Sequence, residues 1–226
     1  PIGLRKLRLG GFATLRSHSA DAMSKTTLHL EYSLGDHGWA KSVLTVGTNR
    51  FEFENAYGSD PIGGLARLAV RWGAGVGVSK TDIVFDCENR GDYIAQFNFR
   101  DPAEFELWHQ PFHVQTDDST PPRTRIAFAS IDGFSFALNI AKVLDNLIRT
   151  HGFVGYINRW QHHSYPIREY MYLRLLLDRS PIIEKIAQRT DTSSFDLELE
   201  LLRQEPDWST SPRTNALAAF ELPHDM

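Results

Sequence analysis

Nine histidines and one cysteine are the residues of this 226-residue chain whose types best suit metal chemistry. His109 and His113 are separated by three residues, one of which is a proline that interrupts a strand. His162 and His163 are adjacent, so their rings point apart in any regular structure. Cys87 is the single cysteine, which excludes an intrachain disulfide and a zinc site built from cysteines. We therefore predict no metal and no cofactor.

The motifs of nucleophilic and phosphate-binding enzymes are not found in the sequence. The glycine-rich run from Gly73 to Lys80 has serine before lysine and follows a helix, the reverse of a phosphate-binding loop. Cys87 lies between Asp86 and Glu88, whose charges raise the pKa of a thiol and oppose its use as a nucleophile. No serine lies in the Gly-x-Ser-x-Gly turn of hydrolases. A catalytic or ligand-binding function is kept as the alternative to protein binding. It would be that of a small-ligand-binding protein or of a hydrolase whose site residues are dispersed along the chain. The residues considered for that site are Asp36, His37, Trp39 and His109.

An aromatic and polar cluster before Pro166 is the first candidate for partner binding. Tyrosine and tryptophan are favoured anchors in protein interfaces. The alternative is that Tyr156 and Trp160, four residues apart, form a buried helical stripe. The cluster consists of Tyr156, Trp160, His162, His163 and Tyr165.

An acidic face near the carboxyl end is the second candidate. Residues 195–201 alternate strictly between apolar and acidic types, which predicts a strand with Asp196, Glu198 and Glu200 on one face. The alternative is a solvated edge strand that its charges protect from pairing.

The charge of the chain favours a basic partner. Lysine and arginine total 24 against 28 aspartate and glutamate, a net charge of −4. Residues 1–20 hold four basic groups and no acidic one, which leaves −8 on the remainder. A body of that sign repels nucleic acid and membrane surfaces, although such a charge also simply keeps a protein soluble. No apolar run approaches the roughly 20 residues of a membrane span, and we expect a cytoplasmic protein.

The elements that must position these residues follow from periodicity. Alternation from Leu28 to Glu54 predicts an antiparallel meander, and Asp60 with Pro61 is typical of a helix start. A second helix is predicted to begin after Asp132 and to end at His151 and Gly152. Further strands are predicted at 82–87, 93–99, 104–108 and 123–131, and further helices at 156–163, 167–178 and 182–188.

Strands followed by helices indicate an α+β fold. We predict an antiparallel sheet of six to seven strands packed against several helices in a single domain with a carboxyl-terminal extension. The predicted divisions are a basic extension at 1–22, an α+β core at 23–190 and a partly irregular extension at 191–226.

Three short runs are informative: Tyr57–Leu65, the turn Gly91–Tyr93 and the segment from Gly152 through Trp160 to Pro166. They resemble a group of uncharacterised bacterial α+β proteins, and the likeness covers roughly residues 50–175. Some of those proteins are immunity proteins against polymorphic toxins. The resemblance implies the fold but assigns no functional residue.

We therefore expect a non-catalytic, immunity-like protein that neutralises a basic protein toxin through an acidic surface. Neither nucleic acid nor a membrane is expected as a partner, and a homodimer is a further option.

Overall fold

The computed structural model describes residues 26–74, 80–98, 103–112, 122–187 and 195–208. The predicted extension at 1–22 and the chain after 208 lie outside these ranges, as does His113. The described residues contain seven strands and five helices, which confirms the α+β fold. The strands are β1 (Leu28–Leu34), β2 (Trp39–Val46), β3 (Asn49–Ala56), β4 (Thr81–Asp86), β5 (Asp92–Asn98), β6 (Ala103–Gln110) and β7 (Thr124–Ile131). The helices are α1 (Pro61–Gly73), α2 (Gly133–Trp160), α3 (Ile167–Leu177), α4 (Pro181–Ala187) and α5 (Phe195–Arg203).

The seven strands are divided between two antiparallel sheets. The first has the order β1-β2-β3 and the second the order β4-β5-β6-β7. Helix α1 connects the first sheet to the second along the chain. The two sheets contact each other at β3 and β4, where the ring centroids of Phe53 and Phe85 are 5.0 Å apart. At the other side, the Thr26 backbone N–H donates to the Ser130 carbonyl at 2.8 Å. Both sheets therefore enclose one core.

Helix α1 lies at the centre of that core. The Asp60 side chain accepts a hydrogen bond from the Gly63 backbone N–H, so it caps the helix as the sequence predicts. Small residues allow other elements to approach closely: a Cβ on Gly64 would lie 2.8 Å from the Ile83 side chain. Ile62, Ala66 and Val70 are fully buried along the helix. The helix packs against α2, α3 and β4.

Helix α2 is long and kinked. The predicted end at Gly152 is a kink, where φ is 65° and ψ is 177°, and helical hydrogen bonding resumes after it. The predicted helix at 156–163 is thus the last part of α2, which ends at Trp160. No helix among the described residues is long and apolar enough to cross a membrane.

The strand predicted at 195–201 is wrong, because the segment is helix α5. Leucine and glutamate are strong helix formers, and a helix brings Leu197 and Leu201 to one side. Leu201 is fully buried against the apolar side chains of α4, among them Ile182 and Ile183. Packing against a neighbouring helix outweighs the period-two pattern.

A buried ion pair fastens the chain after α5 to the core. Arg174 of α3 and Asp178 just beyond it are both fully buried, and the Arg174 Nε donates to Asp178 Oδ2 at 2.7 Å. Asp178 Oδ1 accepts from the backbone N–H groups of Ser180 and Asp207, at 2.8 and 2.9 Å. The guanidinium also lies 5.8 Å from the ring centroid of Trp208. We call this the Arg174–Asp178 latch.

Candidate functional site

The structure corrects the expectation that the aromatic cluster is an exposed anchor. Tyr156 and Trp160 are fully buried and Tyr165 is 4% exposed. The Tyr165 hydroxyl donates to the Leu144 carbonyl at 2.9 Å, and Trp160 packs edge-on against Tyr32. Tyr156 and Trp160 form the buried helical stripe that was the alternative, because the last part of α2 turns them toward the core. Tyr165, in the segment after α2, packs edge-on against Tyr156.

The two adjacent histidines hold a loop to the end of α2. His162 packs against the ring of Tyr57 with centroids 4.5 Å apart, and His163 Nε2 lies 3.0 Å from the Tyr57 carbonyl oxygen. Among the described residues, no group of three or more His, Cys, Asp or Glu side chains is arranged to hold a metal ion.

The acidic residues of the second candidate do not share one face. Asp196 and Glu200 lie one helical turn apart on α5, whereas Glu198 is two positions from each and projects elsewhere around the helix. Glu200 also accepts a hydrogen bond from the Gln204 side chain at 3.0 Å. The predicted acidic strand face is therefore wrong, since a helix distributes these carboxylates around its axis.

The dispersed residues of the alternative site do not converge. Asp36 binds Arg159 at 2.7 Å, and His37 lies in a turn with φ of 58°. Trp39 lines a small cavity of about 160 Å³, below the roughly 300 Å³ at which small-molecule sites begin. His109 Nε2 lies 3.3 Å from the Arg90 carbonyl oxygen, which also explains its position without catalysis.

Cys87 lines the same small cavity, and its thiol is unreactive. Burial, and secondarily the charges of Asp92 and Asp86, raise the pKa of its thiol to about 12. Because the thiolate is the nucleophile, a thiol with that pKa is inert at neutral pH.

The outer face of the four-stranded sheet exposes several large apolar side chains. Alternation turns Phe85, Phe97 and Phe105 into the core. The opposite face carries Val84 at 38% exposure and Phe128 at 47%. We define the outer sheet face as Asp82, Val84, Ile94, Glu104, Glu106, Trp108, Arg123, Arg125, Ile126 and Phe128.

Cross-strand register builds this face in rows. Val84 lies opposite Ile94, which lies opposite Trp108, so one row is apolar across three strands. In the next row Glu106 lies opposite Phe128. The register shifts between Leu107 and Trp108, which leaves Ile126 as the extra residue of β7, 37% exposed. The signal for this surface was already in the sequence, since large apolar residues occupy solvent-facing positions of the predicted strands.

Charged groups frame the apolar residues and hold them in place. The indole N–H of Trp108 donates to Glu106 at 3.0 Å, and Arg125 pairs with the same carboxylate at 2.7 Å. The Arg123 guanidinium lies 4.7 Å above the Trp108 ring, a cation–π contact. Three carboxylates and two guanidinium groups belong to the outer sheet face, so its balance is acidic.

Two further carboxylates add to the acidic balance at the end of the β4–β5 hairpin. Asp86 and Asp92 lie directly opposite each other. Burial, followed by the charge of Asp86, raises the pKa of Asp92. The folded chain therefore holds this proton more tightly than the unfolded chain does. In the pH range between the ordinary and the raised pKa of Asp92, stability falls as the pH rises.

Replacing Asp92 by asparagine is expected to stabilise the protein by about 0.2–1 kcal/mol near neutral pH, the range measured for cross-strand pairs. The amide still offers an oxygen to the Cys87 backbone N–H while the repulsion from Asp86 is lost. The gain should be smaller near pH 4 than near neutral pH, because the raised pKa of Asp92 lets its carboxyl group take up a proton as the pH falls. Urea unfolding at both pH values measures it. Asp82→Asn is the control, since Asp82 accepts a hydrogen bond from Gln96; equal gains at both pH values would contradict the explanation.

Comparison of the chain with protein-family models, with curated proteins and with solved structures gives no match. The resemblance to bacterial immunity proteins thus remains an expectation. The function has to be argued from the surfaces of this chain.

Proposed function

We propose that this is a non-catalytic protein-binding protein, immunity-like and cytoplasmic, which binds a basic partner through the outer sheet face. The observation that carries the proposal is the set of large apolar side chains that this face exposes, Val84, Ile126 and Phe128, next to charged residues. Exposed apolar residues with charged residues around them are the usual anatomy of a protein interface.

The chemistry of the face suits a protein with a positive surface. Trp108 and Phe128 are large rings, and aromatic residues are frequent hot spots. Asp82 is paired with Arg123 and Glu106 with Arg125, so the net negative charge of the face comes from Glu104, with Asp86 and Asp92 at its end. These carboxylates would attract and orient a basic partner during its approach.

Replacing Phe128 by serine is expected to weaken binding of the basic partner about 30-fold or more, because hot-spot truncations cost about 2 kcal/mol or more. A panel of purified basic toxin domains of the nucleic-acid-cleaving type, tested by biolayer interferometry at low and high salt, supplies the measurement. Val154→Ser is the matched control, since Val154 is an apolar residue of α2 that is 73% exposed and lies outside the face.

Three results would contradict the proposal. The first is that no basic domain of the panel binds at low salt. The second is that F128S binds as tightly as the parent chain. The third is that light scattering shows a dimer that F128S dissociates, which would assign the face to a second copy of the chain.

A further inference from the structure

A cleft lies between helix α2 and the first sheet. Its volume is about 470 Å³, within the range of small-molecule sites. Four residues of α2, at helical spacing, form one wall, and residues of β1, β2 and β3 form the rest.

The buried side-chain amide of Asn139 holds helix α2 against strand β1. The Leu30 N–H donates to Asn139 Oδ1 at 2.7 Å, and Asn139 Nδ2 donates to the Leu30 carbonyl at 3.2 Å. The side chain thereby completes the hydrogen bonds of the free edge of β1, as a neighbouring strand would. Because Leu30 N–H can only donate, the orientation of the Asn139 amide is determined. The cleft is therefore preformed.

The same amide determines the tautomer of His29. Asn139 Nδ2 lies 3.0 Å from His29 Nδ1, and an amide nitrogen is a donor, so Nδ1 accepts. In the neutral ring the proton is then on Nε2. Since His29 lines the cleft, this nitrogen is a donor for a bound molecule.

Positive charge exceeds negative charge in the lining. Lys41, Arg50 and Lys142 contribute three cations, and Glu31 contributes one carboxylate. Glu52, outside the lining, pairs with Lys41 and with Arg50. Even with Glu52 included, one positive charge remains, although the chain as a whole carries −4.

Lys142 differs from Lys41 and Arg50, which both pair with Glu52. It forms no ion pair or hydrogen bond with any residue in the described part of the chain. Asn146 lies one turn further along α2, is exposed and likewise has no partner there. An ammonium group and an amide, one turn apart and both without a partner among the described residues, are suited to one anionic group.

The floor of the cleft is apolar. Val43 is 4% exposed and Val143 is 8% exposed, and both line the cleft. Val43 is on the outward side of β2, where its neighbours Lys41 and Thr45 are more exposed, so it marks the bottom of a depression. An apolar floor beneath cationic walls suits a molecule with an anionic group and a hydrophobic body.

We infer that this cleft binds a small organic anion, a carboxylate or a phosphate monoester with an apolar body. The anionic group lies between Lys142, Arg50 and the Nε2–H of His29, and the body rests on Val43 and Val143. The inference is independent of the outer sheet face, which is built from the other sheet.

Phenyl phosphate, benzoate, benzyl alcohol and inorganic phosphate are the probes that test it. Titrations followed by amide resonances should show both organic anions binding with dissociation constants near or below about 1 mM, a free energy near −4 kcal/mol. The shifts should centre on residues 29–33 and 139–146. Comparing the first two probes separates a phosphate ligand from a carboxylate ligand.

The substitution Lys142→Met should weaken binding of the preferred anion about ten-fold or more, as expected for loss of a charged contact. The methionine retains most of the side-chain volume on an exposed helical position, so folding should be unaffected. Lys185→Met, on an exposed lysine of α4, is the matched control and should bind as the parent chain does.

The inference is overturned if neither organic anion shifts the cleft resonances, or if K142M and K185M bind equally well. If benzyl alcohol bound as tightly as benzoate, the charge of the ligand would not contribute to binding. If inorganic phosphate bound as tightly as phenyl phosphate, the apolar floor would not contribute to binding.

Discussion

Replacing Asp178 by alanine is expected to destabilise the protein by roughly 3–5 kcal/mol, the range for breaking a buried ion pair. Arg174 would remain as an uncompensated charge at 0% exposure. The backbone N–H groups of Ser180 and Asp207 would lose their acceptor at the same time. Urea unfolding followed by circular dichroism measures the change in the free energy of unfolding.

An exposed ion pair provides the comparison. Glu52 pairs with Lys41 and Arg50 at a side-chain exposure of 42%, and Glu52→Gln should destabilise the protein far less than Asp178→Ala, because exposed ion pairs add little to stability. The double variant R174M/D178N should be more stable than D178N alone, because it removes the stranded guanidinium while the asparagine oxygen still accepts from the backbone. A loss for D178A as small as that for E52Q would show that the latch adds nothing to stability.

Replacing Trp160 by alanine is expected to cost about 3–5 kcal/mol, as for other large buried aromatic residues. The ring is fully buried and lies 6.2 Å from the ring of Tyr32, so the substitution opens a cavity between α2 and β1. Thermal and urea unfolding measure the loss.

Two variants test whether Trp160 is a core residue or an exposed residue of an interface. Trp160→Phe keeps most of the ring and removes an indole N–H that has no partner among the described residues, so its cost should be clearly smaller. His162→Ala changes an exposed residue of the same cluster and should alter stability by less than about 0.5 kcal/mol. If W160A were as stable as H162A, the assignment of Trp160 to the core would be wrong.

Local signals predicted most of the fold. The alternation from Leu28 to Glu54 gives β1, β2 and β3, and Asp60 with Pro61 begins α1 as expected. Asp132 also caps α2, accepting from the Ser135 backbone N–H at 2.9 Å. These elements are specified by neighbours in the sequence, so period and capping chemistry suffice.

Elements that depend on distant contacts were not predictable in this way. Helix α5 has a strand-like pattern, and its helical state rests on α4. The division of the strands into two sheets depends on where α1 inserts, a tertiary choice that local periodicity does not encode.

The candidate sites also depend on distant contacts that local sequence patterns do not reveal. Tyr156 and Trp160 are favoured interface residue types, but residue type does not reveal which side of a helix faces the core. The outer sheet face and the cleft both combine residues from several strands, and the cleft also needs α2. Only cross-strand register and helix position bring such residues together.

The Arg174–Asp178 latch has a consequence for synthesis on the ribosome. Asp178 receives one of its donors from Asp207, 29 positions later in the chain. When α3 has just been synthesised, the Asp178 carboxylate therefore lacks that donor, and the Arg174 guanidinium lacks the ring of Trp208. The polar contacts of Arg174 and Asp178 are therefore completed only after residues 207 and 208 have been synthesised, when both sheets have already emerged. Until then, α3 should be more susceptible to nascent-chain proteases than the strands that precede it.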